Sequence, residues 1–129
     1  MDDKEKDNTL AETLQMLIIG WLHSGVGLRR DQCLWNDLRN ADRLVEANLL
    51  YCSPLGYFRP AAGVRVAIAQ YLQASTDWAA ALTFSGNDVL REMEDKMFSA
   101  FYLLDGRIRE GLERAERAAA QDDAQGGEA

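Results

Sequence analysis

The stretch Ala67 to Leu82 recurs, shifted by 30 residues, as Met97 to Leu112. Laying one copy on the other pairs Ala67 with Met97, Ile68 with Phe98, Tyr71 with Phe101, Leu72 with Tyr102, Trp78 with Ile108, Ala81 with Gly111 and Leu82 with Leu112. Each copy has polar or small residues at its middle, Ser75-Thr76-Asp77 in the first and Asp105-Gly106-Arg107 in the second. Each copy therefore reads as two helices joined by a tight turn. A chain built from such a unit is expected to stack its hairpins, because one hairpin cannot bury its own apolar face.

Size and charge narrow the class. At 129 residues the chain suits one domain with a core that needs no disulfide or metal. Apolar residues make up 47% and charged residues 27%, ordinary for a globular protein, and the formal charge of −7 disfavours nucleic acid or an anionic membrane as partner. The apolar runs, such as Met16 to Ile19, are too short to span a bilayer. Met1-Asp2-Asp3-Lys4-Glu5 lacks the basic flank and apolar stretch of a signal peptide, so a cytoplasmic location is expected. Cys33 and Cys52 have no further Cys or His at ligand spacing and read as reduced core thiols.

Along the chain, residues 1–8 are charged and expected to be flexible. Asp7, Asn8 or Thr9 is placed to cap a first helix, from Thr9 to His23, carrying Leu10, Leu14, Leu17, Ile18, Trp21 and Leu22. Ser24-Gly25-Val26-Gly27 ends it. A second helix starts near Asp31, with Leu34, Leu38, Ala41, Val45 and Leu49 on one face and a bend expected near Asn40. Ser53 to Pro60, bracketed by both prolines, reads as a connector, and Pro60 is expected to open a third helix. Asp77 would cap the fourth helix, Ser85-Gly86-Asn87-Asp88 would end it, and the fifth and sixth would meet at Gly106. Residues 121–129, rich in Asp, Gln and Gly, read as a disordered tail. No segment shows the strict alternation of a half-buried strand. The expected fold is all-α: one domain over residues 9–120, made of stacked antiparallel helical hairpins.

The chemistry-bearing residues are sparse. His23, the single histidine, has no acid or Cys one turn away and reads as a cation at a helix C-terminus. Glu92, Glu94 and Asp95 fan around a helix as a solvated face. Gly25-Val26-Gly27 lacks the third glycine and the preceding strand of a dinucleotide loop. No nucleophile has a matching base, so neither an enzyme nor a cofactor or metal site is expected. Stacked hairpins line a groove with their first helices, which would bring Val66, Gln70, Gln73, Met93, Lys96, Ala100 and Leu103 together. An amphipathic partner helix could lie on Val66, Met93 and Leu103 while Gln70, Gln73 and Lys96 fix its register. The alternative places Met93 and Leu103 in the core. Tyr57 and Phe58, between the prolines, would either anchor a partner or plug the end of the core.

Thr76-Asp77-Trp78-Ala79-Ala80-Ala81-Leu82 and Gly106-Arg107-Ile108-Arg109-Glu110-Gly111-Leu112 resemble the turn and second helix of tetratricopeptide repeats, at a period of about 30 instead of the usual 34. Asp77 to Leu82 with Gly86-Asn87-Asp88-Val89-Leu90, and Tyr102-Leu103-Leu104-Asp105-Gly106 with Gly111-Leu112, are similar to YscG-type co-chaperones of bacterial type III secretion. The similarity covers Val64 to Ala118. It implies a non-catalytic chaperone or adaptor that holds a small helical secretion subunit, such as the needle protein, with a second co-chaperone alongside. A self-assembling apparatus component, forming a homo-oligomer through the same surface, is the alternative.

Overall fold

The structure is a computed structural model that describes residues 7–128, with side chains to Asp123. It is mostly helical, with four α-helices and one small sheet in the order α1 (Leu10–Ser24), β1 (Leu28–Arg29), a 3-10 turn (Arg30–Gln32), α2 (Trp35–Glu46), β2 (Leu50–Cys52), β3 (Tyr57–Pro60), α3 (Ala62–Phe84) and α4 (Asn87–Glu128). The chain divides into two compact units. One comprises the residues up to Ala61 together with those from Glu110 onward, and the other is Ala62–Arg109.

In the first unit, Thr9 caps α1 through a capping box with Glu12, each satisfying a backbone N–H of the other. Gly25, in left-handed conformation, closes the helix. Leu14 and Leu17 of α1, Ala41 and Leu44 of α2, Leu49, Leu50 and Phe58 form the core, all nearly or fully buried. The strands make an antiparallel sheet in the order β1-β3-β2, with Leu28 opposite Phe58, Tyr51 opposite Arg59 and Cys52 opposite Phe58. Gly27 leads into β1 with φ 97°, and a Cβ there would run into the Phe58 carbonyl, so only glycine lets β1 close on β3. From α4, Ala115 is buried, Gly111 packs so close to Leu49 that a side chain would overlap it, and Arg114 donates to the Ala47 carbonyl at 2.8 Å.

The sheet corrects the all-α expectation. Ser53 to Pro60 is a hairpin turn and strand: Ser53 N–H donates to the Tyr57 carbonyl and Ser53 Oγ accepts from Tyr57 N–H, closing a turn with Gly56 at φ 91°. Pro60 ends β3 and does not open a helix. Phe58 is fully buried, so the partner-anchor reading fails for it. Cys33 and Cys52 are partly exposed, not core thiols.

In the second unit, α3 and α4 run back along each other, with Tyr71 against Phe101 (ring centroids 5.9 Å apart) and Gly63 beside Arg107. Val64, Ala67, Ile68 and Ala81 are buried. The two expected inner turns do not form. Ser75-Thr76-Asp77 lies inside α3, where Thr76 Oγ donates to the Leu72 carbonyl and Gln73 donates to Asp77, and Asp105-Gly106-Arg107 lies inside α4. Only Ser85-Gly86 breaks the path, making one long hairpin where two short ones were expected. Residues 121–128, expected as a disordered tail, continue α4.

Candidate functional site

A buried polar cluster fixes the rotation of α2 in the first unit. Asp37 accepts from Thr13 Oγ (3.2 Å) and Asn8 Nδ2 (3.0 Å), and Asn40 Nδ2 donates to Thr13 Oγ (3.0 Å) and the Asn8 carbonyl (2.9 Å). With Asp37, Asn40, Ala41 and Leu44 turned inward, the opposite face presents Trp35, Arg39, Asp42 and Glu46. The N-terminal end of α2 is the most open: Leu34 is 77% and Trp35 70% exposed.

Arginines surround this helix and hairpin, and four of them stack on aromatic rings: Arg39 over Trp35 (5.2 Å), Arg59 over Tyr51 (5.3 Å), Arg30 over Phe58 (5.4 Å) and Arg29 over Tyr57 (5.9 Å). Such pairs occur roughly once per 70–80 residues, so four between Arg29 and Arg59 are a concentration. Stacking holds each guanidinium plane while its edge keeps donors free for a carboxylate or phosphate. Three of the four charges have partners within the unit. Arg30 forms a two-pronged pair with Asp42 (2.8 and 3.3 Å), and Arg29 pairs with Asp31 (2.7 Å). Asp123, near the end of α4, stands 3.5 Å from Arg43 and 4.0 Å from Arg39. At the start of this region, burial first and then the Asp37 charge push the Cys33 thiol up, which lowers its thiolate fraction.

The second unit gathers four of the residues expected in a groove. Gln70, Gln73, Met93 and Lys96, with Ala74 and Asp77, line a cleft of about 260 Å³. A second cleft, of about 280 Å³, shares Asp77 and Met93 and continues past Ala80 and Ala81 to Phe84 and Val89. Gln73 Nε2 donates to Asp77 at 3.0 Å, and Lys96 pairs with Glu92 at 3.4 Å. Val66 and Leu103 are exposed and Ala100 half-buried, but none of the three lines the cleft. Tyr57, in the first unit, is half-buried with Arg29 over its ring.

Sequence reasoning missed the α2 surface and the hairpin beside it. The signal was the alternation of arginines with aromatics, Arg29-Arg30, Trp35, Arg39, Tyr51, Tyr57-Phe58-Arg59, hidden by the acidity of the whole chain. Among the described residues no group of three or more His, Cys, Asp or Glu is placed to hold a metal ion, and no helix is long and apolar enough to cross a membrane. No protein family, curated protein or solved structure matches the chain.

Proposed function

We propose that the first unit is a winged helix-turn-helix module that binds double-stranded DNA, with α2 entering the major groove and the β2–β3 hairpin lying beside it. The observation that carries this reading is α2 itself: it follows a single 3-10 turn, is pinned by Asp37 and Asn40, and offers Trp35 and Arg39 from its first half, with Asn36 half-buried and donating to the Asn8 carbonyl. In helix-turn-helix proteins the N-terminal residues of the second helix meet the base edges, where Arg suits guanine and Asn adenine. The chain's charge of −7 does not describe this surface. Leu28 to Pro60 holds five arginines against Asp31, Asp37, Asp42 and Glu46, a net +1, and Asp37 is buried.

The test is fluorescence anisotropy with duplexes selected from a random pool. Binding that weakens with salt and is reduced by Arg39→Ala or Arg59→Ala is the expected result. Absence of any binding at about 50 mM salt up to about 100 µM protein, the weak end of ordinary non-specific affinity, rules the reading out.

A second reading, a non-catalytic adaptor of the type III secretion kind that holds a partner's amphipathic helix, is favoured by the convergence of Gln70, Gln73, Met93 and Lys96 on one cleft. Here the α3–α4 hairpin supplies the surface, and Met93→Asp, at the wall shared by both clefts, should abolish capture of a helical client without loss of helix content. Homo-oligomerisation through the same residues is the alternative form of this reading.

A further inference from the structure

One face of α4, away from the cleft, carries a stripe at alternating spacings of three and four: Asp95, Phe98, Tyr102, Asp105 with Gly106, and Arg109. Phe98 is 48% and Tyr102 67% exposed, and Phe101 packs edge-on against the Tyr102 ring. Phe98 and Tyr102 form an exposed aromatic patch bounded by charge, backed by Phe101, which packs on Tyr71. The charges are informative about what covers it. Laid parallel on a copy of itself, the stripe sets Asp95 on Asp95 and Arg109 on Arg109. Laid antiparallel about the midpoint between Phe98 and Tyr102, it sets Asp95 opposite Asp105 and Arg109 opposite Arg91. Only a shift toward the C-terminus brings unlike charges together.

We propose that α4 pairs antiparallel with α4 of a second copy of this chain about a two-fold axis at Tyr102. Phe98 and Gly106 both lie four residues from Tyr102, and Asp95 and Arg109 both lie seven. In this register Tyr102 meets Tyr102 and Phe98 of each copy lies over Gly106 of the other. Asp95 of each copy then stands beside Arg109 of the other, so every contact off the axis is made twice, as an isologous interface requires. Gly106 suits the position because nothing lies within 4 Å of where its Cβ would be, which leaves room for a ring against the backbone. Arg109 is available because its side chain is 70% exposed and its pair with Asp105 is a surface one along the same helix. The dimer uses a face distinct from the Gln70–Lys96 cleft and holds whether or not α2 reads DNA.

The test is sedimentation equilibrium of the full chain, with circular dichroism to confirm that each variant keeps its helix. A species of twice the 14.4 kDa chain mass is expected. Asp95→Arg and Arg109→Asp should each weaken dimerisation about tenfold, because each replaces two attractive contacts with two repulsive ones. The double variant Asp95→Arg/Arg109→Asp should restore it, and Tyr102→Glu should leave a monomer. A 14.4 kDa species at about 100 µM, a double variant no tighter than its parents, or a dimer indifferent to Tyr102→Glu overturns the proposal.

Discussion

Asp123 sets a carboxylate against Arg43 and Arg39, on the helix proposed to enter DNA. Arg39 would otherwise be available to phosphate, so on the proposed DNA reading this carboxylate partly neutralises the surface. Asp123→Asn should therefore tighten binding to duplex DNA, by about two- to fivefold given the small energies of exposed pairs, measured by anisotropy at low salt. Gly111 carries a packing demand instead of an electrostatic one. A side chain there overlaps Leu49, which is buried, so Gly111→Ala should cost about 1–3 kcal/mol in urea unfolding. For Cys33 the sign follows from the neutral form being favoured in the folded protein: a thiol whose pKa is raised by folding adds stability while protonated, and that contribution is lost as pH rises through the folded value. Alkylation of Cys33 near pH 8 should accordingly run slower in the native chain than in urea, followed by mass spectrometry.

At the scale of elements, the polar cluster beneath α2 is the feature on which the helix's orientation depends. Asp37→Ala leaves Thr13 Oγ and Asn8 without their acceptor in a buried setting and should cost about 1–3 kcal/mol of stability, read from thermal unfolding. The helices were largely legible because their apolar spacing was regular: Leu14 and Leu17, Ala41, and Val64 with Ala67 and Ile68 are buried where that spacing puts them, whereas Leu34, expected on the apolar face of α2, is exposed and Leu44, outside the expected stripe, is buried. The strands were not. Segments of two, three and four residues are too short to display alternation, and Phe58 and Pro60 owe their inward setting to pairing with residues far away in sequence. The turns inside the repeat were misread for a different reason. Thr76, Asp77 and Gly106 weaken a helix by roughly 1 kcal/mol or less each, too little to stop one that gains packing along its length. The cleft residues Gln70, Gln73, Met93 and Lys96 were found because one real hairpin preserves their relative placement, whereas Val66, Ala100 and Leu103 needed a stack of hairpins to join them.

For the whole molecule, charge is the quantity most easily misjudged. A total of −7 governs solubility and long-range repulsion from polyanions, while binding at contact is set by the arginines that reach the surface. If Arg29, Arg39 and Arg59 each meet one phosphate, affinity for duplex DNA should fall about 40-fold between roughly 50 and 200 mM salt, and a flat salt profile would remove phosphate contact from the account. The acidic remainder should make that dependence shallower for association rate than for a neutral protein of the same surface, because salt also screens the repulsion that opposes approach.

The closure of β1 against β3 at Gly27 has a consequence for how this sequence can vary. The position combines a left-handed backbone with a neighbouring carbonyl in the space of any side chain, so neither a rotamer change nor a local shift rescues a substitution there. Gly25, two residues earlier, has open space around it. In a saturation library screened for folded protein, the two glycines should separate sharply: position 25 would admit Asn and other residues tolerant of positive φ, while position 27 would return glycine alone and mark the narrowest point in the chain's mutational space.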